Sequence, residues 1–567
     1  MMGNRQFLPF ISGKPIFFVS PDGSDTNGDG TFENPWKTIG KGLSNPYSWN
    51  TLYIRGGTYV EQITINRSGT ADAPILVAAY PGEKVVIDGE AGVDGLNEGL
   101  PDYGELIIPP GLRDEKGFRY TPLVWIKGNY VIFEGFDIKR SMGRGIQVSR
   151  DEADTRGVTI RNCKISASRK NGMMIEQRCK EIIIENCDIS RSGNFAPYDR
   201  SSSELDWGGA CVVKGSDNVI IRGTSIHENW GEGFITDSQT NNSTNIRVSK
   251  CIFFDNMRPS IYLHAVTNII VEKNLLYHSI NPEFPFGEGI AITPSEPQYE
   301  DDVDIENVTV ANNIFVGMGS NIALYGQDGR MLRKIRVLFN TLVNAQNYGI
   351  MESSSHYEAC ELKNNVVYQS NGEVLVNGGA DFRGWAVSGN AWYPERPSSV
   401  PGDRDVIGNP QFENPEAELL RGQVNPAWYK IKATSPVIDQ AVTVPFIDRD
   451  FFDNIRDAQP DMGAHEFQKE TLTADSPEAI IDDRSRPLFY DVALAGTLSA
   501  GGFKRFAIVA DNVAASATNV LAFGIQFPDH QCLIYGREQQ ISPMVVEDVE
   551  RALDEFKLGD AVVQWLD

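Results

Sequence analysis

The sequence predicts an all-β chain: a parallel β-solenoid through the middle, followed by a small C-terminal α/β domain. Three observations predict it. Short β-branched strands recur, one position in each carries a small or polar residue, and no long helical pattern separates them. The strands read VIFEGFDI, VTIRNCKI, IIIENCDI, VIIRGTSI, IRVSKCIF, IIVEKNLL, VTVANNIF, IRVLFNTL and CELKNNVV. The shared position is Phe136, Cys163, Cys187, Thr224, Cys251, Asn274, Asn313, Asn340 and Asn365, with Asn390 continuing it. Successive differences are 27, 24, 37, 27, 23, 39, 27, 25 and 25, so most coils take 23–27 residues and two carry inserts.

Each element follows from that repeat. Equivalent residues of stacked coils lie ~4.8 Å apart, so an asparagine bonds to the asparagine of the next coil, while cysteine behaves as a small buried hydrophobe. A helical segment near Thr38 to Leu43 is expected to cap the first open end, because an uncovered coil is a sheet edge. The solenoid with its cap and inserts takes residues 1–467, a polar linker 468–485, and the C-terminal domain 486–567. In that domain Phe503 to Val509, Val520 to Phe527 and Cys532 to Tyr535 read as strands. A helix is expected from Ser542 as N-cap and Pro543 as first residue, with Val545, Val549, Ala552 and Phe556 on one face. Its expected role is packing, binding or assembly, homo-oligomerisation included.

Composition narrows the function. With 51 basic against 76 acidic residues the net charge is −25, which argues against a nucleic-acid partner. A hydrophobic fraction of 41% with 22% charged residues is that of a folded chain, and no window reaches the ~18 apolar residues of a membrane span. Seven cysteines with no CxxC pair point away from a disulfide framework or a metal finger. Residues Met1 to Val19 lack the apolar core of a signal peptide.

The chemistry is expected on one face. The second strand of each coil follows a glycine-like residue: GIQVS, GMMIE, GACVV, GFITD, SIYLH, GIAIT, NIALY and GIMES. Alternation turns the second and fourth letters outward. The fourth-letter column is Ser149, Glu176, Val213, Asp237, His264, Thr293, Tyr325 and Ser353, with Lys214 beside it and Tyr262 in the neighbouring column. Glu176, Lys214, Asp237, Tyr262 and His264 are therefore the catalytic candidates. The inserts Arg191 to Trp207 and Asn281 to Asp304 flank them as walls of a polymer-binding cleft. Asp206 and Trp207, Glu232 and Glu288 of the two Gly-Glu-Gly turns, Arg258 and Tyr325 are candidate substrate contacts. Taken one at a time, these residues read equally as solvated surface and turn residues; clustering raises them. In the opening segment Asp25-x-Asn27-x-Asp29-Gly30 has the spacing that starts a calcium loop but lacks the terminal glutamate, Trp36 standing there. The same string is also that of a tight polar turn.

The opening FFVSPDGSDTNGDGTFENPWKTI with LYIRGGTYVEQITI resembles the start of many right-handed parallel β-helix proteins of the pectate-lyase-like superfamily. SPVIDQA with DRDFFDNIRDAQPDMGAHEF is similar to the closing motif called choice-of-anchor Q. The resemblance implies a right-handed β-helix and spans about residues 16–467. It is specific for architecture, and implies an extracellular, cell-surface or virion setting.

Three functions fit. A polysaccharide lyase needs a base, Lys214 or His264; a proton donor, Tyr262; and a cation for the uronate carboxyl, Arg258 or a calcium ion held by Glu176 and Asp237. A glycoside hydrolase needs two carboxylates, Glu176 and Asp237, with Asp206 and Glu232 as substitutes. A glycan-binding or virion surface protein needs neither. The basic candidates place the lyase first.

Overall fold

The structure, a computed structural model, describes residues 15–89, 122–141, 143–149, 154–193, 208–237, 242–280, 286–294, 305–326, 330–353, 356–377 and 380–468, and the backbone of five strands between 504 and 565. Residues 13–469 make one compact unit, and the late strands belong to a second.

The first unit is a stack of coils. Among the described residues its strands fall into parallel sheets of 14, 11 and 13 strands, and each coil contributes one strand to each sheet in turn. Thr155–Arg161, Lys164–Ser166 and Met173–Ile175 are one such coil; each pairs with the corresponding strand of the next coil. The corner between the first two strands is two residues long. Its first residue is left-handed in successive coils, including Asn162 (φ 53°), Asn186 (φ 52°), Gly223 (φ 57°) and Asn312 (φ 54°). Asparagine and glycine adopt that conformation at least cost, which is why they recur just before the shared position.

The ladder lies inside, as the repeat predicts. Asn274, Asn313, Asn340, Asn365 and Asn390 are fully buried. Each amide Nδ2 donates to the next Oδ1: Asn274 to Asn313 at 2.9 Å, Asn313 to Asn340, Asn340 to Asn365 and Asn365 to Asn390 at 3.0 Å. Cys163, Cys187 and Cys251 continue the column as buried free thiols, with burial raising the Cys251 thiol to about 12. They are core residues.

The first end of the unit and one of its outer faces are covered. The helix Ile39–Ser44, capped by the Thr38 side chain, packs against the first strands through Ile39 and Gly42. From Phe412 to Ala464 the chain lies on the outer face of the 13-stranded sheet, where Phe412, Tyr429, Ile431 and Met462 bury Tyr277, Ile314, Phe339 and Tyr368. The closing motif anchors there: Arg456, buried, donates to Asn312 Oδ1 at 2.8 Å, Gly463 O at 2.7 Å and Glu466 Oε2 at 3.1 Å.

In the late segment Lys504–Ala510, Val520–Gln526, Cys532–Gly536, Met544–Val546 and Ala561–Trp565 form an antiparallel sheet. Two features differ from the sequence reading. Met544–Val546 is a strand paired with Cys532–Ile534, where a helix from Pro543 was expected. Two adjacent β-branched valines favour the pleated surface over a first helical turn. Ala561–Trp565 is a further strand. The helical positions Val549, Ala552 and Phe556, and the linker beyond Gln468, lie outside the described residues. Among the described residues no helix is long and apolar enough to cross a membrane.

Candidate active site

The 11-stranded sheet carries the candidate face, and its register sets which side chains meet. Cys211 pairs with Phe234 and Lys214 with Asp237. Phe234 pairs with Ile261 and Thr236 with Leu263, so His264 follows Asp237 in the same outward column. Ile175 pairs with Val213, which places Glu176 beside Lys214. The column is therefore Glu176, Lys214, Asp237 and His264 in four successive coils. Val213, assigned to that column by the sequence, instead points inward and is fully buried. The sequence count starts at Gly209, whereas the pairing starts the frame one residue later, at Ala210, which stands opposite Gly172 and Gly233.

Charge alternates along this column. Glu176 Oε1 accepts from Arg144 Nη1 at 2.6 Å, and the same nitrogen reaches Gln147 Oε1 at 2.6 Å. Lys214 Nζ lies 3.8 Å from Asp237 Oδ2. Asp237 Oδ1 lies 3.7 Å from His264 Nδ1, on the other side. Tyr262, half-buried, sits in the adjacent outward column with its ring nearly parallel to that of His264, the centroids 6.0 Å apart. His264 is 8% exposed, so it is a packed group and not the open surface imidazole that alternation alone suggests. Trp125, Gln147, Met174, Val212, Ile235 and Tyr262 line up in the neighbouring column and form a mostly apolar floor.

A carboxylate 3.7 Å from a ring nitrogen, an ammonium 3.8 Å from the same carboxylate and a phenol beside the ring are groups that can exchange protons. The fold that holds them has relatives. Residues 17–260 match the family described as Pel9A-like, right handed beta helix region. The fold is a parallel β-helix, and residues 17–260 are similar to that right-handed β-helix family. "Pectate lyase PEL9" of Emericella nidulans is 29% identical over 226 residues, which is 38% of this chain and 48% of that protein. "Pectate lyase L" of Dickeya chrysanthemi is 26% identical over 233 residues, 40% of this chain and 47% of that protein. The chain thus spans about half the length of these curated relatives. The structure of XylC with xylose superposes with a TM-score of 0.51 at 13% identity, covering 80% of this chain and 99% of that one, a likeness of fold.

In this β-helix the family match includes Glu176, Lys214 and Asp237 and stops two residues before Tyr262, so Tyr262 and His264 rest on the geometry. The remaining candidates divide. Glu232 is buried at the turn before the face and is held by Arg258 Nη1 at 3.0 Å, so each occupies the other. Glu288 does reach the face: the Tyr325 hydroxyl donates to its Oε1 at 2.8 Å. Burial and the Glu288 charge raise the Tyr325 phenol well above its usual range. Asp206 and Trp207 lie outside the described residues.

The opening turn uses its carboxylates internally. Asp25 Oδ1 accepts from the amides of Lys37 (2.8 Å) and Thr38 (3.0 Å), and Oδ2 from the Thr38 hydroxyl at 2.8 Å. Asp29 Oδ1 accepts from the Thr31 amide at 2.9 Å, and the Asn27 carbonyl from Asn34 Nδ2 at 3.0 Å. Partial burial opposes ionisation of Asp25, yet these donors hold its carboxyl below the usual range. These hydrogen bonds close the segment as a tight polar turn. On the face, Glu176 carries Arg144 and Asp237 lies against Lys214. Among the described residues no three His, Cys, Asp or Glu side chains converge.

Arg144 was missed in the sequence. It stands just before Gly145, the position that Glu232 and Glu288 hold in later coils, so the turn pattern that singled out those glutamates was available for it too.

Proposed function

We propose that this chain is a polysaccharide lyase that cleaves a uronate-containing polysaccharide by β-elimination on the 11-stranded face. The carrying observation is the register that seats Lys214 between Glu176 and Asp237, with His264 next in the column. The family match over residues 17–260, which include Glu176, Lys214 and Asp237, and the likeness to pectate lyases support the same reading.

The roles follow from charge and reach. β-Elimination removes the proton beside a uronate carboxyl, and a cation on that carboxyl stabilises the charge that develops there. Lys214, whose Nζ lies 3.8 Å from Asp237 Oδ2, serves as that partner. His264, with Asp237 facing Nδ1, takes the proton on its other ring nitrogen. The pair of electrons left on carbon forms the double bond as the glycosidic C–O bond breaks, and Tyr262 gives its proton to the departing oxygen.

Glycoside hydrolysis by Glu176 and Asp237 is the second reading. The two are two coils apart, ~9.6 Å by strand spacing, at the upper limit for an inverting pair. Each carboxylate, however, already faces a cation, and a proton donor is needed from one of them. The deciding experiment follows ultraviolet absorbance of unsaturated uronate and reducing ends in parallel on a panel of acidic and neutral polysaccharides. Both signals rising supports the lyase. Reducing ends alone on any substrate replaces it with the hydrolase, and neither signal leaves a binding protein.

A further inference from the structure

The turn between Lys164–Ser166 and Met173–Ile175, in the coil that carries Glu176, holds Arg169. Its residue is 2% exposed, yet Nε, Nη1 and Nη2 are all buried without a hydrogen-bond partner. A guanidinium offers five donors in a planar fork and is normally buried only against a carboxylate or phosphate. Leaving it unmatched is among the costliest arrangements a fold retains.

Among the described residues of the neighbouring turns no acid meets it. On one side the Arg169 amide donates to Ser141 O at 3.0 Å, and Lys170 donates to Gly143 O at 3.0 Å. On the other side Gly193 donates to Ser168 O at 3.1 Å, and Gly208 packs so tightly on Lys170 that a Cβ there would stand 2.5 Å from its carbonyl oxygen. Serine and glycine bring no carboxylate. The other arginines of this stack of turns are matched, Arg144 by Glu176 at 2.6 Å and Arg258 by Glu232 at 3.0 Å. Burial without any compensating charge pushes the Arg169 guanidinium below its usual pKa.

We infer that Arg169 is a carboxylate receptor, which takes a carboxyl group of the uronate-containing substrate. The inference rests on the lyase reading for its ligand. It gives that reading a specificity determinant separate from Lys214: the planar fork suits a carboxylate bidentately and has nothing to offer a neutral hydroxymethyl sugar.

The test uses monosaccharides, which have no glycosidic bond to cleave, so binding is measured without turnover. Galacturonate and glucuronate are titrated calorimetrically against galactose and glucose, with the parent chain, Arg169→Gln and Arg169→Lys. The expected result is a preference of at least about tenfold for one uronate over its neutral counterpart in the parent. Arg169→Gln loses that preference and Arg169→Lys keeps part of it. Thermal melting supplies an independent readout: removing an unmatched buried charge leaves the midpoint of Arg169→Gln equal or higher, whereas losing an internal ion pair lowers it. A parent with no uronate preference, or an Arg169→Gln variant that keeps it, overturns the inference. A uronate preference that depends on Arg169, in a protein that releases no unsaturated product, keeps the receptor and sinks the lyase. Elimination that is indifferent to Arg169 does the reverse.

Discussion

Replacing Asn340 by leucine tests the internal ladder at its centre. The Asn340 amide takes part in four hydrogen bonds. Its Oδ1 accepts from the Asn313 backbone amide at 2.9 Å and from Asn313 Nδ2 at 3.0 Å. Its Nδ2 donates to Val310 O at 2.8 Å and to Asn365 Oδ1 at 3.0 Å. Leucine fills a similar volume and makes none of them. Asn313 cannot turn to find other partners, because its Nδ2 also donates to Val271 O at 2.9 Å. Two donors are then left buried and unmatched, each costing ~1–3 kcal/mol, for a total of about 2–6 kcal/mol. Asn340→Cys, which installs the residue the column uses at Cys251, is expected to cost less than leucine. Urea unfolding followed by circular dichroism measures the loss, and hydrogen exchange at the Asn313 amide locates it. A leucine variant within about 1 kcal/mol of the parent, with Asn313 still protected, would refute the ladder as a source of stability.

Other outcomes are expected. Lys214→Ala should lower turnover ~10²–10⁴-fold while moving stability by less than ~0.5 kcal/mol, since the side chain is partly exposed; equal activity moves the carboxyl partner elsewhere. With His264 as the base, His264→Asn should lower turnover ~10²–10⁴-fold; a His264→Asn variant that keeps full turnover would move the base to another group. Asp453 is partly buried, which opposes ionisation, but Lys250 at 2.8 Å and Lys273 lower its carboxyl to about 2. Because the folded-state pKa lies below the unfolded one, the stabilisation is complete above about pH 4 and disappears as pH falls through 2. Asp453→Asn should remove about 1–2 kcal/mol at neutral pH and progressively less as pH falls toward and through 2, read from melting curves at each pH.

The architecture was legible because a solenoid repeats one local solution. Any strand that keeps a small or polar residue at the corner reports the period, and nine such positions from Cys163 to Asn390 do so. The outward face was legible to within one residue. Its error fell at GACVV, where the insert and the paired glycines remove the local anchor that GFITD keeps in Gly233. The C-terminal helix failed for another reason: Ser542-Pro543 is a good helix start, but sheet pairing of Met544–Val546 outweighed it. Exposure was the least legible quantity. Alternation turns His264 outward correctly, yet the neighbouring column and Asp237 leave it packed. Arg144 and Arg169 carry no spacing of their own, and their meaning comes only from which partners stacking gives them or withholds.

The central claim is that bonds break by elimination. Mass spectrometry of the oligosaccharides released from polygalacturonate and other uronate polysaccharides tests it most directly. The predicted result is a series of unsaturated products, each lighter by one water than the hydrolysis product of the same length, formed by the parent and lost in Lys214→Ala and His264→Asn. Products with the full hydrolysis mass, or no release from any uronate polymer, would contradict it.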